Sequence, residues 1–287
     1  MADLRNLHIG CAGWQVPNTL ADDFGGEGTH LQRYAHRLGV VEVNSSFYKE
    51  HRRKTWAKWH DETPDGFRFA VKAPRWLTHD QGLRGTEGLD TFLEQIGGLG
   101  AKLGPILLQL PPKLAFEPDT MRNFFETLRA RHSGPVVCEP RHASLLTEEA
   151  DAFLEEYRIA RAEVDPSRHA GDDEPGGWPG LRYVRLHGSP KRFYSEYEEA
   201  SLKEMAQQLH AFAREAETWC IFNNTARDGG ARNALTLRRL VAEEPDNTNA
   251  GTDPVFDLST GFSFSRSRGG AAYLLQRFRP RFFQKKQ

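Results

Sequence analysis

Three pairs of residues stand out because their members are two positions apart inside otherwise apolar runs: Glu42 and Asn44, Glu139 and Arg141, Arg185 and His187. A spacing of two puts both members on one face of a β-strand. Similar residue types close the other apolar runs. Lys72 ends FRFAVKA, with Arg75 and His79 just beyond; Gln109 ends PILLQLP; His142 follows Arg141; Asn223 and Asn224 end WCIFNNT; Glu163 and Asp165 end RIARAEVD.

The arginines and Lys72 are the groups that hold a phosphate, sulfate or carboxylate, the guanidiniums through paired hydrogen bonds. His187, beside Gly188, is the best general acid–base candidate because imidazole titrates near neutrality. Glu139 is the alternative proton carrier, and Asn223 and Asn224 have the chemistry to orient a substrate. Glu42 and Glu139 also admit a plainer role as buried counter-charges of the arginines. Lys72 would be an amine nucleophile if burial or neighbouring cations lowered its pKa. Glu42, Glu139, Asp165, His142 and His187 are also of metal-ligand type. The chain has no HxH or HExxH spacing, and the adjacent Lys and Arg would repel a cation. We therefore expect no cofactor and assign no metal ligands, with a divalent ion as the lesser alternative.

Positioning these residues takes strands. Apolar runs recur at 7–13, 40–46, 67–73, 105–111, 135–141, 158–165, 181–188 and 219–225, and amphipathic segments lie between most of them. Leu202, Met205, Leu209 and Phe212 fall at helical steps, as do Met121, Phe124, Phe125 and Leu128, with Asp119 or Thr120 as candidate caps. A last helix is expected over about 230–241. Alternating strands and helices imply a parallel sheet. The count of strands predicts an α/β fold of the (β/α)8 TIM-barrel type. GCAGW after the first strand is not the glycine pattern of a dinucleotide-binding sheet. In such a barrel the strand C-termini form the active-site face. That explains why the run VVEVNSS carries Glu42, Asn44 and Ser46 on one parity. The stretch 166–180, rich in Gly, Pro and acids, predicts an irregular connection after strand six and is a candidate lid.

The chain of 287 residues has a net charge of −1, so bulk charge favours neither nucleic acid nor a membrane surface. Cys11, Cys138 and Cys220 are far apart and read as reduced buried thiols. The N-terminus carries no apolar signal segment, and no run is long enough to span a membrane. The expected location is the cytoplasm. Residues 1–245 are expected to form one barrel domain. Residues 246–287 are expected to form a basic C-terminal extension, disordered or docked; its last thirty residues carry Arg266, Arg268, Arg277, Arg279, Arg281, Lys285 and Lys286 and no acid.

Read in order, VEVNSSFY, FAVKAPRWLTH, KLGPILLQLPP, EPRHAS, YVRLHGSPKRFYSEY and FNNTARDGGARNA resemble the YecE-like family, also called domain of unknown function 72. The resemblance covers roughly residues 7–243 and implies a TIM barrel, but it names no reaction. It adds Tyr194 and Tyr197 after strand seven, and Asn233, to the motif residues. The stretch after GCAGW and the Ala143–Leu146 stretch depart from the family pattern, both on loops at the barrel top.

Together these observations predict an enzyme, of hydrolase or isomerase class, that binds a small anionic, sugar-like substrate. Glu42, Lys72, Glu139 and His187 are the expected catalytic residues. Asn44, Arg75, His79, Gln109, Arg141, His142, Arg185, Tyr194, Asn223 and Asn224 are the expected substrate-binding residues. Two other readings use the same residues: a metal-assisted phosphodiesterase or repair-like barrel acting on nucleic acid, and a metabolite-binding protein without turnover.

Overall fold

The computed structural model describes residues 4–226 and 228–243. Ten strands run in chain order: β1 (Leu7–Ala12), β2 (Val40–Val43), β3 (Arg68–Lys72), β4 (Leu103–Gln109), β5 (Val136–Glu139), β6 (Ile159–Arg161), β7 (Glu163–Asp165), β8 (Gly176–Gly177), β9 (Leu181–Leu186) and β10 (Glu217–Phe222). β6 and β7 are one strand interrupted at Ala162. β6 pairs with β5 and β7 pairs with β9, both parallel. The remaining neighbours pair in parallel through β10, β1, β2, β3 and β4, so the sheet closes on itself as an eight-stranded barrel. The expected (β/α)8 architecture is present.

Helices α2 (His30–Ala35), α4 (Arg53–Asp61), α5 (Leu89–Ile96), α6 (Pro118–Arg131), α7 (Glu148–Glu156), α8 (Glu199–Glu215) and α9 (Gly229–Glu243) form the outer layer; α1 (Ala21–Phe24) and α3 (Ser45–Tyr48) are single turns in the connections. The stripes expected on α6 and α8 are buried. The start of α6 differs from the expectation. Glu117 is its N-cap and Pro118 its first residue, while Thr120 Oγ1 donates to Glu117 Oε2. Proline has no N–H to lose at that position and its φ suits the first turn.

The connection after strand six has no helix, as expected, but it is firmly tied. Gly176–Gly177 pairs antiparallel with β6, Arg161 Nη1 donates to Gly171 O at 2.7 Å, and Val164 N donates to Asp172 O at 2.8 Å. The two-residue strand covers the part of β6 that β9 does not reach. Residues 246–287 lie outside the described residues. Among the described residues, no helix is long and apolar enough to cross a membrane.

Alternation along the strands divides the core in two. Val41, Val43, Phe69, Val71, Ile106, Leu108, Val184, Leu186, Cys220 and Phe222 face the helices in one apolar shell. Val40, Ala70, Leu107, Val137, Ala160, Leu181, Tyr183, Trp219 and Ile221 fill the barrel interior. The interior apolar residues belong to the lower layers, and the polar residues of the same parity sit above them. That layering is how a barrel interior is packed rather than left as a pore.

β1 and β2 approach so closely that a Cβ at Gly10 would lie 2.1 Å from Val40 O. Backbone cannot swing aside as a side chain can. Gly10→Ala is expected to destabilise the protein by about 1–3 kcal/mol or more, the usual cost of overpacking. Urea unfolding measures this, and an unchanged midpoint would refute the close approach.

Candidate active site at the barrel mouth

The upper interior is organised around Arg185 on β9, which is 1% exposed. Its Nε and Nη2 donate to Glu42 Oε2 and Oε1 at 3.0 and 2.7 Å, and its Nη1 donates to Glu139 Oε2. Tyr183 Oη donates to Glu42 Oε2 at 2.8 Å. Arg141 forms an ion pair with the other Glu139 oxygen. All are brought together by parity: 42, 139, 141, 183 and 185 point inward from three separated strands or just beyond their ends. Burial alone would raise the Glu139 carboxyl, but the Arg185 and Arg141 charges outweigh it and hold the group well below the usual carboxylate range. Burial would likewise lower Arg185, and Glu139 and Glu42 reverse that.

Lys72, 8% exposed, is placed differently. Its Nζ lies 4.0 Å from the centroid of the Phe47 ring and has no hydrogen bond or ion pair among the described residues. Burial, reinforced by the Arg185 charge, lowers its ammonium to about 8. Glu42, Glu139 and Arg141 also act on it, the carboxylates in the opposite sense.

His187 is fully buried, with its backbone N–H on Asp165 O at 2.7 Å. Asn223 Nδ2 donates to its Nδ1 at 3.1 Å, which places the proton of the neutral ring on Nε2. Burial and then the Arg185 charge push the imidazole well below its ordinary pKa. Phe193 packs edge-on against the ring at 5.4 Å. The loop carrying Phe193 is fastened from below. Asn233 brackets the backbone of Tyr197, Asn224 Nδ2 donates to Ser195 O at 2.9 Å, and Tyr197 Oη donates to Asp165 Oδ2.

The other expected site residues divide between the mouth and positions away from it. Asn224 has the opposite parity to Asn223, and its amide serves this loop and Asn233 rather than the mouth. Arg75 is exposed and pairs with Asp80 at 3.3 Å. Tyr194 is exposed, with Lys191 Nζ 4.3 Å over its ring. His142 Nδ1 accepts from Ser144 N at 3.2 Å as an N-cap. His79 is half-buried against Phe47, and its Nδ1 meets Thr78 Oγ1 at 2.9 Å. Gln109, at the end of β4, is in register with Glu139. Asn44 is the first residue after β2, and its buried Oδ1 has no partner among the described residues. Ser46 is not on the strand at all: it belongs to α3, and its hydroxyl serves Val43 O and Lys72 O. Glu163 faces the helix layer and pairs there with Arg182 Nε at 2.9 Å. Ala160 and Ala162 take the inward parity of this strand, so Glu163 faces outward by regular alternation.

Tyr183, Arg168 and Arg192 join the mouth without having been singled out from the sequence. Tyr183 could have been found, because it shares parity with Arg185 and His187. Arg168 and Arg192 could not, since they stand on loops with no periodicity. Burial and the charges of Arg141 and Arg192 lower Arg168 to about 10, and burial and Arg141 lower Arg192. The three guanidiniums are therefore close enough to oppose one another. A cavity of about 420 Å³ opens to one side, lined by Ser46, Glu50, His51, Trp56, Trp76 and Gln81 among others. It contains none of the charged cluster. Among the described residues, no three His, Cys, Asp or Glu side chains come together as a metal site.

Two predictions follow from the charges. Arg185→Met leaves buried Glu42 without its cation and Glu139 with Arg141 alone, and is expected to cost about 3–5 kcal/mol in urea unfolding; a loss below about 1 kcal/mol would show the triad to be energetically idle. Lys72 acts on stability in the opposite sense. Its folded pKa is below its unfolded one, so charging it opposes folding fully below pH 8, and the penalty fades as pH rises toward 10.5. Lys72→Met is thus expected to stabilise the protein at pH 7 by roughly 1–3 kcal/mol, with the gain shrinking above pH 8. A gain that does not change with pH would contradict this.

The chain matches, over residues 8–255, the family described as protein of unknown function DUF72. It is 31% identical over 106 residues to the Escherichia coli UPF0759 protein YecE, a stretch covering 37% of this chain and 38% of that one. It is 22% identical over 274 aligned positions to the Bacillus subtilis UPF0759 protein YunF, covering 82% of this chain and 94% of that one. Crystal structures of DUF72 proteins from Enterococcus faecalis and Thermotoga maritima share its fold. The first has a TM-score of 0.69 at 20% identity, covering 84% of this chain and 97% of the other. The second has a TM-score of 0.66 at 24% identity, covering 83% and 99%. The ordered strand-end motifs, the closed barrel and the match over most of the chain lead to one conclusion: this protein belongs to the DUF72 family.

Proposed function

We propose that the protein is an enzyme whose barrel mouth binds a small phosphorylated or carboxylated, sugar-like molecule. One observation carries this reading. Arg141 Nε, Arg192 Nη1 and His187 Nε2 are buried and have no hydrogen-bond partner among the described residues. All three belong to side chains near enough for the charges of Arg141 and Arg192 to lower the His187 pKa. Buried donors require acceptors. An anion seated among them would satisfy all three and offset the mutual repulsion of Arg141, Arg168 and Arg192.

In this reading Arg141, Arg168 and Arg192 hold the anion, and Gln109, Asn44 and Asn223 orient the rest of the molecule. His187, neutral at physiological pH, donates a hydrogen bond from Nε2 to an oxygen that gains charge. Glu139 is held ionised by two guanidiniums and makes a poor proton carrier, so its role is to keep Arg185 and Arg141 in place. Lys72 is the remaining group able to exchange a proton near neutrality. The metal-assisted reading loses support because Arg185 and Arg141 occupy the carboxylates it would need. The buried, unpaired thiols of Cys11, Cys138 and Cys220 suit a reducing compartment, and we assign the protein to the cytoplasm.

Thermal unfolding with a panel of sugar phosphates and carboxylated metabolites tests this reading. A ligand at a hundredfold excess over its Kd should add about 2.7 kcal/mol of stability. The shift should disappear in Arg192→Met. A panel that produces no shift in the wild-type protein would overturn the assignment.

A further inference from the structure

Lys72 is buried at the mouth with no carboxylate paired to it among the described residues. A buried lysine ordinarily sits against a carboxylate, and two carboxylates are at hand on β2 and β5. Both are taken by Arg185, and Glu139 by Arg141 as well. The amine is instead held over an aromatic face, and its strand is pinned from the same short helix. Ser46 Oγ donates to Lys72 O at 2.7 Å, while the neighbouring Phe47 supplies the ring beneath Nζ. α3 thus positions both ends of this residue. The arrangement costs stability and provides no charge partner in return, which is a property of reactive groups rather than of structural ones.

We propose that Lys72 is a nucleophile that forms an imine with the carbonyl group of a phosphorylated aldehyde or ketone. This rests on the anion site proposed above, which would hold the phosphate while the carbonyl meets Nζ. The neutral amine's lone pair forms the C–N bond and the carbonyl π pair moves to oxygen. The two amine hydrogens leave with that oxygen as water, giving the C=N bond. A proton taken from solvent makes the imine nitrogen cationic. It then withdraws electrons from the adjacent carbon, whose proton passes to solvent, or whose bond to a carbon fragment breaks, to leave an enamine. After reprotonation at carbon, water adds to the C=N bond to release the product and the amine without any redox partner. The substrate class is accordingly a short phosphorylated sugar or keto compound, and the reaction is one at the carbon next to its carbonyl.

The wild-type chain is incubated at pH 7 with glycolaldehyde phosphate and cyanoborohydride, which reduces imines to stable secondary amines, and the adducts are located by peptide mapping. Glycerol 3-phosphate, which has no carbonyl, is tested in parallel by thermal shift and as a competitor. The expected result is an adduct at Lys72 forming at least ~10-fold faster than at exposed lysines such as Lys58 and Lys203. It should be suppressed by glycerol 3-phosphate and absent from Lys72→Arg. Labelling of Lys72 no faster than of Lys58, with glycerol 3-phosphate still raising the melting temperature, overturns the lysine chemistry and leaves the anion site standing. Fast labelling of Lys72 that glycerol 3-phosphate does not suppress overturns the anion site as its partner. The comparison among lysines of the wild-type protein stands even if the variant does not fold.

Discussion

Arg185 is the centre on which the barrel mouth depends. One guanidinium, buried in the interior, binds carboxylates from two other strands and is itself flanked by Tyr183 and Arg141. Burying so much charge gains little net stability over an apolar filling, but losing any one member leaves the others uncompensated. The arrangement also specifies register. A slip of one residue in β2 would send Glu42 into the helix layer and bring Val41 or Val43 to the mouth. Three strands are thereby locked at the heights that a binding site requires.

The same interaction sets the chemistry of its neighbours. Because Arg185 holds Glu42 and Glu139, neither carboxylate pairs with Lys72, and burial and then the Arg185 charge destabilise its ammonium. Burial, and then the nearby Arg185 charge, keeps the His187 imidazole neutral, with a donor on Nε2. One cation thus moves two titratable groups, in each case by making positive charge more costly. The loops complete the site by different means. Asn224, Asn233 and Tyr197 fasten the segment after β9 so that Phe193 covers His187. The antiparallel pairing of Gly176–Gly177 and the contacts of Asp172 anchor the segment that carries Arg168.

Alternation explains both what was legible and what was not. Residues 42, 139, 185 and 187 could be placed inside the barrel because each lies on, or one step past, an apolar strand with a clear period of two. The helix faces of α6 and α8 were legible for the corresponding reason, a period near 3.6. The errors fall where a strand ends or where its inward parity is not visible in the residue types. β2 stops at Val43, so Ser46 leaves the strand face. On the sixth strand Ala160 and Ala162 take the interior, so the same alternation turns Glu163 outward to Arg182. Past the last residue of β10, Asn223 and Asn224 look alike in sequence, yet one bonds His187 and the other ties a loop.

The amino-acid sequence by itself determined the barrel, the side on which its polar residues collect, and most of the strands that supply them. These are consequences of local periodicity and burial, which a linear chain displays directly. Only the tertiary structure decided which charge pairs with which. Arg185 could have neutralised any carboxylate at the mouth, and Lys72 could have taken Glu42. That choice depends on distances across the barrel between residues more than a hundred positions apart, as with Arg185 and Glu42, separated by 143. The loop arginines Arg168 and Arg192 likewise became site residues through the folding of segments that have no period to read.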